Sequence, residues 1–287
     1  MTPGPVRRWV LAARPRTLPA SLVPVAVGAT LVRPASVCWG RSVLCVVVAL
    51  ALQVGTNFAN DYADGVRGTD EERVGPFRLT ASKLVAATRV RAAAVTFFAL
   101  AAAAGVALAA LTSWWLVPIG ASAVAAGWYY TGGPRPYGYL GLGELFVMAY
   151  FGFVATVGTA YVQHLAVPRA AWWFALATGS MACALLEANN LRDVDGDRAA
   201  GKRTLVARLG RRRGSGLYLV WVIGAVVGVA AGGEAWVALA LAVLYAPALR
   251  MAFSARSGRE LLPLLAYSAR VQLAAGVALV VVFFTTR

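Results

Sequence analysis

The chain has 287 residues, 60% of them hydrophobic and only 14% charged, and its mean hydropathy is +0.67. Too few polar residues remain to cover a water-soluble globule of this size, so lipid has to be the solvent for much of the surface. The formal net charge of +15, which in a soluble protein would point to nucleic acid, finds another explanation once the charges are assigned to the sides of a membrane.

At the start of the chain Arg7, Arg8, Arg14 and Arg16 precede an apolar run over 17–32, in the manner of a secretory signal. Pro19 and Pro24 interrupt that run and no small-residue cleavage pattern follows it, so it is predicted to be the first retained helix. Further apolar runs lie at 40–60, 90–111, 114–131, 142–163, 170–191, 214–232, 235–253 and 266–285. Many are near the roughly 20 residues that an α-helix needs to cross the hydrocarbon core. The predicted fold is all-α, an integral membrane bundle of about nine transmembrane helices, with 1–287 forming one domain and the termini on opposite sides.

With those spans drawn, 23 of the 27 basic residues fall on the side of the N-terminus, and only Arg33, Arg41, Arg169 and Arg287 on the other. The positive-inside rule then makes the N-terminus cytoplasmic. The net charge is mainly topology, with some attraction for anionic headgroups or an anionic substrate. Cys38, Cys45 and Cys183 lie in or beside apolar runs, with no spacing for a disulfide framework or a CxxC metal site. The single histidine, His164, is placed at the polar end of a span and excludes a His-ligated zinc site and a His-based triad.

The 12 acidic residues are the informative ones, because topology largely ignores Asp and Glu. Asp61, Asp64, Asp70, Glu71 and Glu72 follow the second span, and Glu187, Asp193, Asp195 and Asp197 stand at the end of the sixth. Both clusters emerge on the same face, four spans apart, which hints at duplication of a four-helix unit. Within them Asn60 and Asp64, Asn189 and Asp193, and Asp193 and Asp197 are each four residues apart, and so share one helix face. Isolated acids at helix ends are ordinary caps. Two matched clusters facing each other instead require a cation between them, and Mg²⁺, which takes one or two carboxylates plus water and phosphate oxygens, suits them. Lys202, one of only two lysines, and Arg203 follow Asp197 and are suited to clamping a diphosphate.

At these residues the sequence resembles the UbiA superfamily of intramembrane aromatic prenyltransferases, whose signature is two Asp-rich motifs on cytoplasmic helix ends. The likeness runs from about Arg14 to Gly210, and its finer features are similar to the branch that uses 1,4-dihydroxy-2-naphthoate. These are Ala13-Arg14-Pro15-Arg16-Thr17-Leu18, Asn60-Asp61-Tyr62-Ala63-Asp64 with Gly68-Thr69-Asp70, Tyr130-Thr131-Gly132-Gly133-Pro134, Gly141-Leu142-Gly143-Glu144, and Asn190-Leu191-Arg192-Asp193 with Gly201-Lys202-Arg203-Thr204-Leu205. The resemblance implies Mg²⁺ held through Asn60, Asp61, Asp64, Asp193 and Asp197, and a polyprenyl diphosphate that loses pyrophosphate. It further implies attack on the allylic cation by the naphthoate carbon that bears the carboxylate, with loss of CO₂ to give demethylmenaquinol. Catalysis is expected from Asp61, Asp64, Asp193 and Asp197. Substrate contacts are expected from Asn60, Arg67, Tyr130, Asn190, Lys202, Arg203 and Arg16, with Arg14 and Arg16 serving either the naphthoate carboxylate or positive-inside anchoring. Gly68 stands where the ubiquinone-type pattern has a further acid, and Tyr130 is followed by Pro134 and Arg135 where many relatives carry a Tyr and a Lys four residues apart.

The expected partners are polyprenyl diphosphate, 1,4-dihydroxy-2-naphthoate and membrane lipid, with no nucleic acid, in the cell membrane of a bacterium. Other acceptors, among them 4-hydroxybenzoate, homogentisate, haem and a ribosyl phosphate, stay open. An ion-coupled transporter is the rival outside enzymes, although a carrier's acids are expected near mid-helix.

Overall fold

The computed structural model describes residues 4–32, 34–69, 77–255 and 257–286, and all regular structure within them is helical. The predicted acids Asp70, Glu71 and Glu72, with Arg33, Arg73, Arg256 and Arg287, lie outside the described residues. Helices α1 (Pro5–Ala12) and α2 (Pro19–Thr30) each begin on a proline, whose missing N–H is needless in a first turn. After α3 (Trp39–Arg67), Gly68 takes a left-handed φ of 75° and lets the Thr69 N–H return to the Asp64 carbonyl, closing the helix just past the first acidic motif. There follow α4 (Ala87–Leu111), α5 (Leu116–Tyr129), α6 (Gly143–His164), α7 (Arg169–Ala199), the short α8 (Leu205–Leu209), α9 (Arg211–Ala231), α10 (Ala235–Ser254) and α11 (Leu262–Thr286).

Among the described residues seven helices, α3, α4, α6, α7, α9, α10 and α11, are long and apolar enough to cross a membrane. The predicted runs at 17–32 and 114–131 are occupied by α2 and α5, of 12 and 14 residues. At 1.5 Å per residue these reach about 18 and about 21 Å, short of a hydrocarbon core about 30 Å thick. The nine apolar runs are therefore seven full-length helices and two shorter ones.

Helix α7 lies at the centre. Its Phe174, Ala177, Met181, Leu185 and Leu191 join the main core with Tyr218, Leu241, Tyr245, Leu264 and Phe283 from α9, α10 and α11. A second cluster gathers Ala12, Phe58, Leu79, Val90 and Phe98, with Trp9 edge-on to Phe58. Small residues bring backbones together, as expected where lipid supplies no hydrophobic drive between helices. A Cβ on Gly28 would stand 2.4 Å from the Thr156 carbonyl oxygen, and one on Gly152 would stand 2.8 Å from the Ala175 carbonyl oxygen. Both approaches involve the middle of α6, where Met148–Val157 is wound as a π-helix.

The two ends of the bundle differ in chemistry. Trp39, Trp114, Trp115, Trp172, Trp173 and Trp236 are exposed at helix ends opposite the acidic motifs, as an interfacial belt requires. At that same end Arg41 donates to the carbonyls of Leu111, Val162 and Gln163, satisfying the last turns of two helices.

Candidate active site

Helices α3 and α7 bring the two Asp motifs to one end of the bundle, and three loops close around them. Asp64 is buried, and its Oδ1 accepts a hydrogen bond of 2.5 Å from the Tyr139 hydroxyl. Its Oδ2 lies 3.2 Å from Lys202 Nζ and 3.6 Å from Arg78 Nη2. The first motif thus meets a lysine from the loop after the second motif and an arginine from the loop between α3 and α4. The Tyr139 backbone carbonyl accepts the Arg203 N–H at 2.9 Å, and the Lys202 ammonium stands 4.9 Å from the centre of the Tyr139 ring. One tyrosine therefore fixes the Lys202 loop through its backbone and Asp64 through its hydroxyl. Burial first, and the Asp64 carboxylate second, push the Tyr139 phenol above its ordinary value of 10, which keeps it a donor.

The remaining expected residues divide. Asp61 has both oxygens engaged by backbone N–H groups, Leu79 at 2.8 Å and Thr80 at 2.9 Å, so the carboxylate expected as a metal ligand anchors the loop that carries Arg78. Asn60 Oδ1 accepts the Thr131 hydroxyl at 2.7 Å. Arg67, expected on substrate, is exposed, and donates to the carbonyls of Thr131 and Gly133, bracing the turn after α5. Asp193 is held in a two-pronged contact by the adjacent Arg192 guanidinium, both bonds 2.7 Å. Asp197, partly buried, receives the Lys202 N–H on its carbonyl. The Asn190 amide is turned to the buried Glu144, 3.1 Å from Oε1, and it is Asn189 that faces the cavity described next. Arg203 and Arg16 are exposed.

Beside this cluster opens a cavity of about 650 Å³. Asn60, Asn189 and Tyr130 line its polar end, while Val48, Leu108, Ile119 and Val154 are among the residues that make the rest apolar. Asn60 and Asn189 sit one helical turn before Asp64 and Asp193, so the cavity head and the charged cluster adjoin on both motif helices.

Tyr139 and Arg78 escaped the sequence reading. Arg78 registered there only as one cation among many on its side, and Tyr139 belongs to a Gly- and Pro-rich connection with no periodicity. The available signal was a hydroxyl-bearing aromatic between Gly138 and Gly141, at the end that holds both acidic motifs. Among the described residues no three His, Cys, Asp or Glu side chains converge as a ligand set. The donors are all oxygens, with one or two carboxylates contributed by each motif, and this suits Mg²⁺, which completes its shell with water and phosphate.

An all-helical multi-pass bundle with paired acidic motifs beside an apolar cavity defines an intramembrane enzyme acting on a substrate with a charged head and an apolar body. The chain belongs to the UbiA prenyltransferase family, whose model matches residues 21–261, and it is a UbiA-type prenyltransferase. It is 47% identical over 264 residues, 90% of each chain, to the 1,4-dihydroxy-2-naphthoate octaprenyltransferase of Mycobacterium tuberculosis. To the Escherichia coli protein of the same name it is 34% identical, covering 76% of this chain and 74% of the relative. Its fold is similar to that of a UbiA homolog from Archaeoglobus fulgidus bound to DMAPP and Mg²⁺, with a TM-score of 0.65 at 18% identity over 96% of this chain and 99% of that one.

Proposed function

We propose that the protein transfers a polyprenyl group from polyprenyl diphosphate to 1,4-dihydroxy-2-naphthoate, releasing pyrophosphate and CO₂ and forming demethylmenaquinol for menaquinone biosynthesis. The observation that carries this reading is the junction of the cavity with the charged cluster. A substrate with a diphosphate head and a long apolar tail fits a site in which Asp64, Lys202 and Arg78 adjoin an apolar cavity of about 650 Å³. The names of relatives at 47% and 34% identity support the naphthoate acceptor.

In this reading Asp64 and Asp197 would hold Mg²⁺, joined by Asp193 once the Arg192 side chain, unlike the backbone donors on Asp61, turns off its carboxylate; the bound ion would neutralise the diphosphate and make it a better leaving group. Lys202 and Arg78 add fixed positive charge where pyrophosphate departs, and Tyr139 holds Asp64 in place. The Thr131 hydroxyl holds Asn60 in place at the cavity head. Breaking the allylic C–O bond sends its electron pair to pyrophosphate. The ring carbon bearing the carboxylate then supplies a pair to the allylic carbon, and loss of CO₂ returns the electrons of the C–CO₂⁻ bond to the ring. The apolar cavity wall keeps water from capturing the cation. Residues 1–287 act as one catalytic unit in a bacterial cell membrane, with the acidic motifs at the cytoplasmic face.

The test is turnover of 1,4-dihydroxy-2-naphthoate with a polyprenyl diphosphate by purified protein in detergent, following pyrophosphate and prenylated product with and without Mg²⁺. Mg²⁺-dependent formation of both products is expected. A folded sample that prenylates 4-hydroxybenzoate or homogentisate and leaves the naphthoate untouched would overturn the acceptor assignment.

A further inference from the structure

The second Asp motif carries a cation of its own. Arg192 Nε and Nη2 donate to the two oxygens of the Asp193 carboxylate, both at 2.7 Å. Adjacent residues on a helix point about 100° apart and do not ordinarily face each other, so the Arg192 side chain has to fold round α7 to make this contact. Side-chain exposures of 3% and 7% leave water little part in solvating either charge. The loop after α10 packs onto this turn of α7, with Gly258 so close to the Arg192 carbonyl that a Cβ has no room. The Arg211–Asp195 pair shows the contrast. At 2.8 Å it is as short, but Asp195 is exposed, and an exposed pair contributes little.

Arg192 and a divalent cation compete for Asp193. The guanidinium takes one site on each carboxylate oxygen, and its charge repels a metal ion brought up to the others. Lys202 meets Asp64 through a single atom at 3.2 Å, a contact easier to give up than two bonds of 2.7 Å. A buried guanidinium stripped of its anion is strongly destabilised, so Arg192 yields Asp193 to a metal only when another anion arrives for it. The diphosphate of the prenyl substrate is such an anion, and its oxygens match the same planar fork. We propose that Arg192 is a diphosphate-binding residue that exchanges Asp193 for phosphate oxygens as the metal enters, so that metal and diphosphate bind cooperatively. This rests on the metal and diphosphate reading given above. The coupling is reciprocal: each ligand tightens the other by the same factor.

The experiment titrates Mn²⁺, a spectroscopic substitute for Mg²⁺, into purified protein in detergent and follows the unbound ion by electron paramagnetic resonance. Each titration is run with and without inorganic pyrophosphate, and protein-free titrations correct for the Mn²⁺–pyrophosphate complex. In wild type, pyrophosphate is expected to tighten Mn²⁺ binding about tenfold or more, within the range usual for coupled sites. Arg192→Gln binds Mn²⁺ alone about tenfold tighter than wild type, the scale of one charge-assisted contact, and loses most of the tightening by pyrophosphate. Arg192→Lys keeps the charge without the fork, falls between the two on both counts, and serves if the glutamine variant does not fold. Arg211→Gln removes the same charge from the exposed pair and stays within about twofold of wild type. Arg192 variants with wild-type Mn²⁺ affinity and coupling, or a wild type that binds Mn²⁺ but is indifferent to pyrophosphate, overturn the exchange. An equal gain in Arg211→Gln also overturns it, since net charge alone then accounts for the effect. A folded wild type that binds no Mn²⁺ under either condition overturns the metal reading together with the role of Arg192.

Discussion

Asp61 and Asp64 belong to one motif, yet the structure gives them different work. Asp61→Ala leaves the Leu79 and Thr80 N–H groups without their acceptor, at a cost of about 1–3 kcal/mol for each buried group. We expect a lowered melting temperature in detergent and partial loss of turnover. Asp64→Asn, by contrast, removes the charge that Lys202 and Arg78 face and is expected to abolish turnover outright; an Asp64→Asn protein that turns over more than Asp61→Ala would exchange the two roles. Tyr139→Phe keeps the ring and removes the hydroxyl bond to Asp64. A bond to a charged group is worth about 1.5–3 kcal/mol, so kcat/KM should fall roughly tenfold to a hundredfold. Because its folded pKa is raised above 10, the stability that Tyr139 adds is complete below about pH 10 and is lost only as pH rises through the folded value. Thermal midpoints of wild type and Tyr139→Phe should therefore differ by a constant amount from pH 6 to 9, and a gap that closes within that range would contradict the assignment. The i, i+4 spacing made Asn60, Asp64, Asn189 and Asp193 legible in the sequence. Tyr139 and Arg78 were not, because nothing local tells which loop residue a fold will press against a carboxylate.

Helix packing near the cavity depends on close backbone approaches at α6. A β-carbon at Gly28 collides with the Thr156 carbonyl at 2.4 Å, and backbone cannot yield as a flexible side chain does. Gly28→Ala should cost about 1–3 kcal/mol through overpacking, read as a drop in the detergent melting temperature. Gly105→Ala, with nothing within 4 Å of the new carbon, is the control and should melt like wild type or slightly higher. Equal melting of the two variants would show that α2 and α6 are free to separate. The nine apolar runs were visible as elements in the sequence. That α2 and α5 are short, and that Met148–Val157 winds as a π-helix beside the cavity, was not, because apolar composition fixes neither helix length nor helix pitch.

At the scale of the whole molecule the described residues differ between the two ends, with the paired Asp motifs and most cations at one and the exposed tryptophans at the other. If the acidic end is cytoplasmic, the exposed Cys38 at the tryptophan end faces outward, while Cys45 and Cys183 are buried. A membrane-impermeant maleimide should label the native protein at Cys38 in right-side-out membranes and leave it unlabelled in sealed inverted vesicles. Labelling confined to the inverted vesicles would reverse the orientation.

By itself the sequence determined the all-helical membrane architecture, the face that carries the acids, and the residues of each motif that share a helix side. Composition and short-range periodicity encode these, and neither needs a partner elsewhere in the chain. Only the tertiary structure decided that Asp61 serves a loop, that Tyr139 joins the two motif regions, and that Arg14 rather than Arg16 lines the cavity. Each of those depends on contacts between segments far apart in sequence, such as Asp64 and Lys202, 138 positions apart, and these exist only once the helices have packed.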